Sequence, residues 1–125
     1  MGRTHVLTDW VTVRGATSST VVRQEEADYF DASDVRDVVA YVEIEDFGNS
    51  ARVAVQTAPL RDETLFQPMS TIIPTGTGLQ TPLPVTRFAG AAVPPAHYVR
   101  WVATGASSNW YITFRIVLNL NLVRE

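Results

Sequence analysis

Four aspartates recur at every third position and are the first candidates for chemistry in this chain of 125 residues. They are Asp28, Asp31, Asp34 and Asp37. A calcium loop needs oxygen ligands at alternating positions of a tight turn, together with a glycine. This series has neither the alternation nor the glycine, and aromatic and apolar residues separate its members. It therefore predicts turn and capping residues at strand ends, not a metal site.

Catalytic residue types occur, but not in catalytic spacing. Histidine is found only at His5 and His97, and two isolated imidazoles form neither a metal cluster nor a recognisable base and nucleophile. The chain has no Gly-x-Ser-x-Gly turn, and any carboxylate pair of the glycosidase kind would be an arbitrary choice. Cysteine and lysine are both absent, which excludes thiol nucleophiles, disulfides, thiolate zinc sites and Walker-type phosphate loops. The sequence predicts a protein that is not an enzyme, with no catalytic residue, metal or cofactor.

Charge and hydropathy exclude two further classes of partner. The net charge of −3 argues against general nucleic-acid binding, which needs a basic excess. No apolar run approaches the roughly 20 residues of a membrane helix, and none near the start has signal-peptide length. We expect a single domain over residues 1–125 without nucleic-acid or membrane contact.

The clearest element is the last one, where apolar and polar side chains alternate strictly from Trp110 to Val123. A second strand at residues 97–103 precedes it, and residues 104–109 supply turn chemistry between the two. The pattern predicts a C-terminal hairpin. Its parity puts Trp101 and Trp110 in the core.

Further alternating stretches lie at residues 6–13, 20–24, 37–45 and 52–58, and residues 24–30 allow one short helical turn. About eight short strands with polar turns indicate an all-β fold, specifically a single antiparallel β-sandwich of the jelly-roll kind. A long proline-containing central excursion interrupts this pattern.

All seven prolines lie between Pro59 and Pro95, in a segment (59–96) rich in apolar residues and poor in charge. One interpretation is a set of edge strands and loops that pack on the sandwich, since proline removes a ladder donor. The other is an arm whose apolar side chains dock on another subunit. The predicted protein-interface residues are Leu65, Phe66, Met69, Ile72, Ile73, Leu79, Leu83 and Phe88.

Charge is uneven along the chain. Residues 25–46 hold nine acids and one arginine, whereas the remainder holds four acids and nine arginines. This polarity would orient head-to-tail contacts between subunits, or it is a solvated face. A separate hypothesis starts from Tyr98 and Tyr111, which have the outward parity on the predicted hairpin. An exposed tyrosine pair would suit a carbohydrate-binding or lectin-like module.

Three stretches carry a resemblance to a known family. Residues 34–44 contain a Val-Arg-Asp turn before an alternating strand, residues 53–59 end a strand in Gln-Thr-Ala-Pro, and residues 98–118 join a Tyr-Val-Arg strand to an aromatic one through a Gly/Ser turn. Together they resemble small β-sandwich virion structural proteins encoded among the head and tail genes of tailed bacteriophages, over roughly residues 31–118.

The resemblance implies a virion component that is assembled in the host cytoplasm. Such a protein would be a capsid decoration (cement) or head–tail accessory subunit without enzyme activity. Its partner would be the major capsid protein or another virion protein, and it would be a homo-oligomer on the assembly. The expected function is therefore stabilisation of a larger protein shell, with the glycan-binding module as the alternative.

Overall fold

The computed structural model describes residues 2–80, 83–86 and 95–122 of the chain. Phe88, one of the predicted interface residues, lies outside these ranges. The strands are β1 (Gly2–Gly15), β2 (Val22–Arg23), β3 (Phe30–Asp31), β4 (Val35–Gly48), β5 (Ala51–Ala58), β6 (Gln67–Ile72), β7 (Gly78–Leu79), β8 (Leu83–Thr86), β9 (Tyr98–Gly105) and β10 (Trp110–Leu122). Short 3₁₀ turns at Glu26–Asp28 and Glu63–Leu65 interrupt them, and the first confirms the predicted helical turn.

In the described part of the chain, ten strands form two antiparallel sheets. The first sheet has the order β1-β10-β4, and β7 and β8 both pair with the free side of β4. The second sheet has the order β9-β5-β6, and β2 and β3 both pair with the free side of β9. Because β2 and β3 share one edge and β7 and β8 share another, the segments fill eight strand positions. The pairs β1 with β10, β2/β3 with β9, β4 with β7/β8, and β5 with β6 are those of a jelly roll. The predicted fold class is confirmed.

The core lies between the inward faces of the two sheets, as the alternating pattern predicts. In β4 every second side chain is buried from Val38 to Ile44, and in β10 the same holds from Trp110 to Leu120. Val53 and Val55 of β5 face them from the other sheet, beside Trp101 of β9. Both tryptophans with inward parity, Trp101 and Trp110, are buried as expected.

The predicted C-terminal hairpin is wrong, although both of its strands exist. β9 pairs with β5, β2 and β3, whereas β10 pairs with β1 and β4 in the other sheet. The connection between them therefore crosses from sheet to sheet, and Trp101 meets Phe114 edge-to-face with ring centroids 5.1 Å apart. An alternating pattern determines which face of a strand is buried, but not which strand lies beside it. The same alternation is expected for two neighbouring strands of one hairpin and for two strands that face each other from different sheets.

The described parts of the proline-rich segment are built into the subunit's own sheets. β6 contains Pro68 and β8 contains Pro84, and each strand lies at a sheet edge, where a missing N–H costs no ladder bond. β6 pairs with β5, and β8 pairs with β4. For β6 and β8, the interpretation of the segment as edge strands packed on the sandwich therefore agrees with the structure. Across the described ranges, no helix is long and apolar enough to cross a membrane.

Candidate functional site

The predicted interface residues whose side chains the structure describes fall into an exposed group and a covered group. Leu65, Ile73 and Leu79 are exposed, by 38%, 58% and 57% of their surface. Leu60, which is next to them in the same segment, is exposed by 62%. Ile73 follows β6 and Leu79 lies in β7, so both sit at the side of the sandwich opposite β1 and β2. Leu60 and Leu65 flank Glu63 on the connection from β5 to β6.

Three of the predicted residues, Phe66, Met69 and Ile72, pack against other residues of the subunit. Ile72 belongs to the core, and Met69 packs against the core from β6. Phe66 lies edge-on to Tyr29, with ring centroids 5.4 Å apart. Leu83 pairs with Ala40 of β4 through the backbone. Of the predicted interface residues with described side chains, Leu65, Ile73 and Leu79 are therefore the ones that remain exposed.

Arg100 anchors the connection between β5 and β6 to the second sheet. Its side chain is 2% exposed. Its Nε and Nη2 donate to Gln56 Oε1 at 3.0 and 2.8 Å. Its Nη1 donates to Tyr29 Oη at 2.9 Å and to Glu63 Oε1 at 2.8 Å. Nη2 also donates to the second oxygen of the same carboxylate, Glu63 Oε2. The guanidinium carbon lies 3.7 Å from the centre of the Phe66 ring. All five N–H groups of the guanidinium are thus satisfied.

This arrangement, called the Arg100 cluster below, leaves no donor of Arg100 for a ligand. It instead holds the residues around Glu63 against β9, so that Leu60 and Leu65 are presented from a fixed backbone. Glu63 also pairs with Arg23 of β2, with Nε and Oε1 3.0 Å apart. The hydrogen bond from Arg100 lowers the pKa of Glu63 below its ordinary value, against the opposing effect of burial. The cluster is a structural support for the exposed leucines.

The Glu63 carboxylate makes stability depend on acid pH. Because its folded-state pKa is lower than that of the unfolded chain, its contribution is complete above the unfolded value of about 4.3 and is lost as the pH falls through the folded value. We expect Glu63→Gln to reduce the free energy of unfolding at neutral pH, and the difference from the wild type to shrink below about pH 4. Urea unfolding at a series of pH values measures this difference. A difference that does not change with pH would contradict the assignment.

Both histidines lie beside β3. The His5 and Phe30 ring centroids are 4.5 Å apart, and His97 Nε2 lies 3.3 Å from Asp31 Oδ1. Burial lowers the pKa of His5. Asp31 also accepts from the Ser33 N–H at 2.9 Å, and this hydrogen bond lowers the pKa of Asp31. Since Ser33 and His97 both engage the same carboxylate, they do not form the nucleophile–base–carboxylate order of a triad.

The predicted aspartate series does not converge. Within residues 2–80, 83–86 and 95–122, no group of three or more histidine, aspartate or glutamate side chains is placed to hold a metal ion. Asp37 instead accepts from the Asn121 side-chain amide at 2.7 Å. Asp31 caps the turn at Ser33, as the sequence predicts for such positions.

The tyrosines of the carbohydrate hypothesis lie in different sheets. Tyr98 stacks on His97, with centroids 4.1 Å apart, and the Arg61 guanidinium lies 4.8 Å from the centre of its ring. Tyr111 lies under Arg14 at 5.6 Å. The predicted pair across a hairpin is therefore wrong, because the two strands are not neighbours. The rings are engaged by the chain's own side chains.

A groove of about 790 Å³ opens between β1 and the segment that runs from β2 to β3. Leu7 and Val11 line one wall, Glu25 and Asp28 line the other, and Trp101 contributes from β9. Sequence reasoning did not find this site or the Arg100 cluster. Their residues are far apart in the chain, and no local spacing connects Trp101 with Glu25 or Arg100 with Glu63.

No protein-family model and no curated protein sequence matches this chain. Among solved structures, a chain from "Bacillus endospore appendages form a novel family of disulfide-linked pili" aligns over 98% of this chain and 91% of its own length, at 10% identity and a TM-score of 0.48. At that level of likeness the comparison assigns neither a family nor a function. The present chain contains no cysteine.

Proposed function

We propose that this chain is a non-enzymatic structural subunit that binds a larger protein assembly. The proposal rests mainly on the position of the exposed apolar side chains. Leu60, Ile73 and Leu79 are the three most exposed large apolar residues in the described part of the chain. All of them lie within residues 60–79. Exposed apolar residues concentrated in one segment are typical of a protein-binding surface.

The finer form of the proposal is a capsid decoration or head–tail accessory subunit of a tailed bacteriophage, which acts on the major capsid protein or another virion protein. It is supported by the resemblance of residues 34–44, 53–59 and 98–118 to such proteins, and by the jelly-roll fold that these stretches build. A decoration subunit stabilises a shell by added contact area. An interface of standard size buries about 800 Å² on each partner.

The location of the protein can be tested directly. Particles released from the culture that carries the gene are purified by density gradient and labelled with an antibody against this chain. We expect the label on the particle surface in electron micrographs. Recovery of the chain free of particles, while particles are abundant, would contradict the virion proposal.

The binding surface is tested by paired polar substitutions. We expect Ile73→Ser with Leu79→Ser to reduce binding to stripped particles by at least about tenfold, because two exposed apolar contacts are lost. Cosedimentation measures binding, and circular dichroism verifies that the strands remain. Ile72 and Phe66 are left unchanged, because they belong to the core and to the Arg100 cluster.

The matched control carries the same chemical change on the opposite side of the sandwich. Trp10 and Val21 are exposed by 43% and 40%, and they are replaced together by serine. This control is expected to bind as the wild type does. Equal binding by both double variants would place the contact elsewhere and overturn the proposed surface.

A further inference from the structure

The edge strand β1 keeps part of its backbone unpaired. Among the described strands, β1 pairs only with β10 and is the outermost strand of its sheet. Its register with β10 shifts between Val6 and Thr8, and again between Thr8 and Val11. Shifts of this kind bend an edge and interrupt strand addition along it. Regular pairing remains on either side of the shifts, at Gly2–Val6 and Val11–Gly15, and these stretches are the ones that can receive another strand.

The second regular stretch is the uncovered one. In the shifted region, Gln24 Nε2 donates to the Leu7 carbonyl at 2.8 Å. In the first stretch, the His5 ring packs on Phe30 of β3, with ring centroids 4.5 Å apart. Within the described ranges, the backbone of Val11–Gly15 has no hydrogen-bond partner other than β10. Every second residue of a strand directs its N–H and C=O away from a given neighbour, so this stretch, called the free stretch below, presents unpaired donors and acceptors.

The side chains of the free stretch alternate between the two faces of the sheet. Val13 is buried, and Val11 is partly buried against the core. Thr12 and Arg14 are exposed on the outer face, where Thr12 Oγ1 and Thr113 Oγ1 of β10 lie 2.8 Å apart. A strand that pairs here must carry apolar side chains toward the core and polar ones outward, in the same alternation. A second copy of the free stretch has this pattern.

Trp10 stands directly before the free stretch and is 43% exposed. The Arg115 guanidinium lies 5.2 Å from the centre of its ring, which places the indole on the outer face of the sheet. Since Arg115 belongs to β10, this cation approaches from the paired side of β1. The exposed part of the indole is left for a neighbour at the free edge, where a second cation would be attracted to the ring.

We propose that two copies of this chain pair through their free stretches, antiparallel and about a two-fold axis at Thr12. Val11 then lies opposite the partner's Val13 on the core side, and Trp10 lies opposite the partner's Arg14 on the outer face. Both contacts occur twice, as an isologous interface requires. The first sheet continues from one copy into the other in the order β4-β10-β1-β1-β10-β4.

The spacing of the ring and the cation favours a second copy over an unrelated strand. Trp10 and Arg14 each lie two residues from Thr12, so a two-fold axis there brings each ring to a cation of the other copy. An axis at Val13 would also keep the valines on the core side, but it would leave Trp10 uncovered and bring the two Arg14 side chains closer together. The free stretch is on the opposite side of the sandwich from β6 and β7, so this pairing and the proposed assembly surface succeed or fail separately.

Sedimentation equilibrium of the full chain tests the pairing in the absence of any particle. Five residues on each copy form an interface below standard size, so we expect a monomer–dimer equilibrium with a Kd on the order of 100 μM. The weight-average mass should rise from monomer toward dimer as the concentration increases, without larger species, because the pairing consumes both free edges. A chain that remains monomeric up to about 1 mM, or that assembles into open-ended polymers, would overturn the proposal.

Lysine at the axis should prevent pairing, because two like charges would lie directly opposite each other. Thr12→Lys is expected to raise the dimer Kd at least about tenfold. Thr113→Lys is the matched control: it adds the same charge to the same face and removes the same Thr12–Thr113 hydrogen bond. Its two charges would be about 14 Å apart, beyond the Debye length at physiological salt, so its Kd should stay within about twofold of the wild type. Equal effects of the two folded variants would place the contact away from this edge.

Cysteine scanning tests the register independently of charge. The chain has no cysteine of its own, so each engineered thiol is the only one present. In the proposed dimer the two Thr12 Cβ atoms are about 5 Å apart, whereas the two Thr113 Cβ atoms are separated by three strand spacings. Thr12→Cys is expected to give a covalent dimer with copper–phenanthroline or the short thiol cross-linker bismaleimidoethane, and Thr113→Cys is expected to remain monomeric on a denaturing gel. Equal cross-linking of both variants, or of neither at concentrations where the wild type is dimeric, would overturn the pairing at Thr12.

Discussion

Replacing Gly105 with alanine is expected to lower the free energy of unfolding by about 3 kcal/mol. A Cβ at this position would lie 2.2 Å from Cγ of Trp110, and one at Gly15 would lie 2.2 Å from Cε2 of the same ring. Trp110 has no exposed surface, and its Nε1 donates to the Thr17 carbonyl at 3.1 Å. Backbone from β9 and from β1 therefore meets a ring that has no space to move. Gly15→Ala should cost a similar amount for the same reason.

Urea unfolding measures this effect, and the slope with denaturant verifies that both variants unfold as the wild type does. Gly76→Ala is the matched control, because a Cβ there meets nothing within 4 Å. It is expected to change the free energy of unfolding by less than about 0.5 kcal/mol. A Gly105→Ala variant as stable as Gly76→Ala would show that the Trp110 ring can be displaced at no cost.

Replacing Arg100 with methionine is expected to destabilise the fold by about 2–3 kcal/mol, because the hydrogen bonds of a buried guanidinium are lost while the remaining Glu63 carboxylate is half exposed. The substitution removes five donated hydrogen bonds and leaves the Gln56 and Glu63 oxygens of the cluster without their shared donor. It also removes the cation from the Phe66 ring. Besides lowering stability, it should release the connection that carries Leu60 and Leu65. Hydrogen exchange of that connection, measured with urea unfolding, reports both effects.

Arg115→Met is the control, since Arg115 pairs with Glu43 at 2.6 Å on the exposed face of the first sheet. A pair that is about one-third exposed contributes about 1 kcal/mol or less. The double variant Arg100→Met with Glu63→Met should recover part of the loss, because it no longer leaves a carboxylate without its partner. If Arg100→Met costs no more than Arg115→Met, the cluster is not a stabilising anchor.

The alternating pattern was sufficient for the fold class, because burial on one face of a strand leaves a two-residue period in the sequence. It placed Trp101 and Trp110 in the core correctly, and one of the two interpretations of the proline-rich segment, edge strands, agrees with β6 and β8. The same pattern paired β9 with β10 wrongly, since the period is identical for a hairpin and for two strands that face each other across a sandwich. The sequence indicated which segment contains the exposed apolar residues, but not which of its apolar residues are exposed. Ile72 and Ile73 are adjacent in sequence, but Ile72 ends β6 inside the core, whereas Ile73 directly after the strand is exposed.

By itself, the sequence determined which faces are buried, the absence of cysteine and lysine chemistry, and the apolar character of residues 59–96. Only the tertiary structure decided that Arg100, whose parity points out of the sandwich, is buried, because a connection 37 residues earlier in the chain folds over it. The structure likewise brought Trp101, Gln24 and the acidic 3₁₀ turn around one groove. Burial by alternation is a local property of each strand. Contacts between connections and sheets depend on the order in which the strands pair, and that order leaves no periodic trace in the chain.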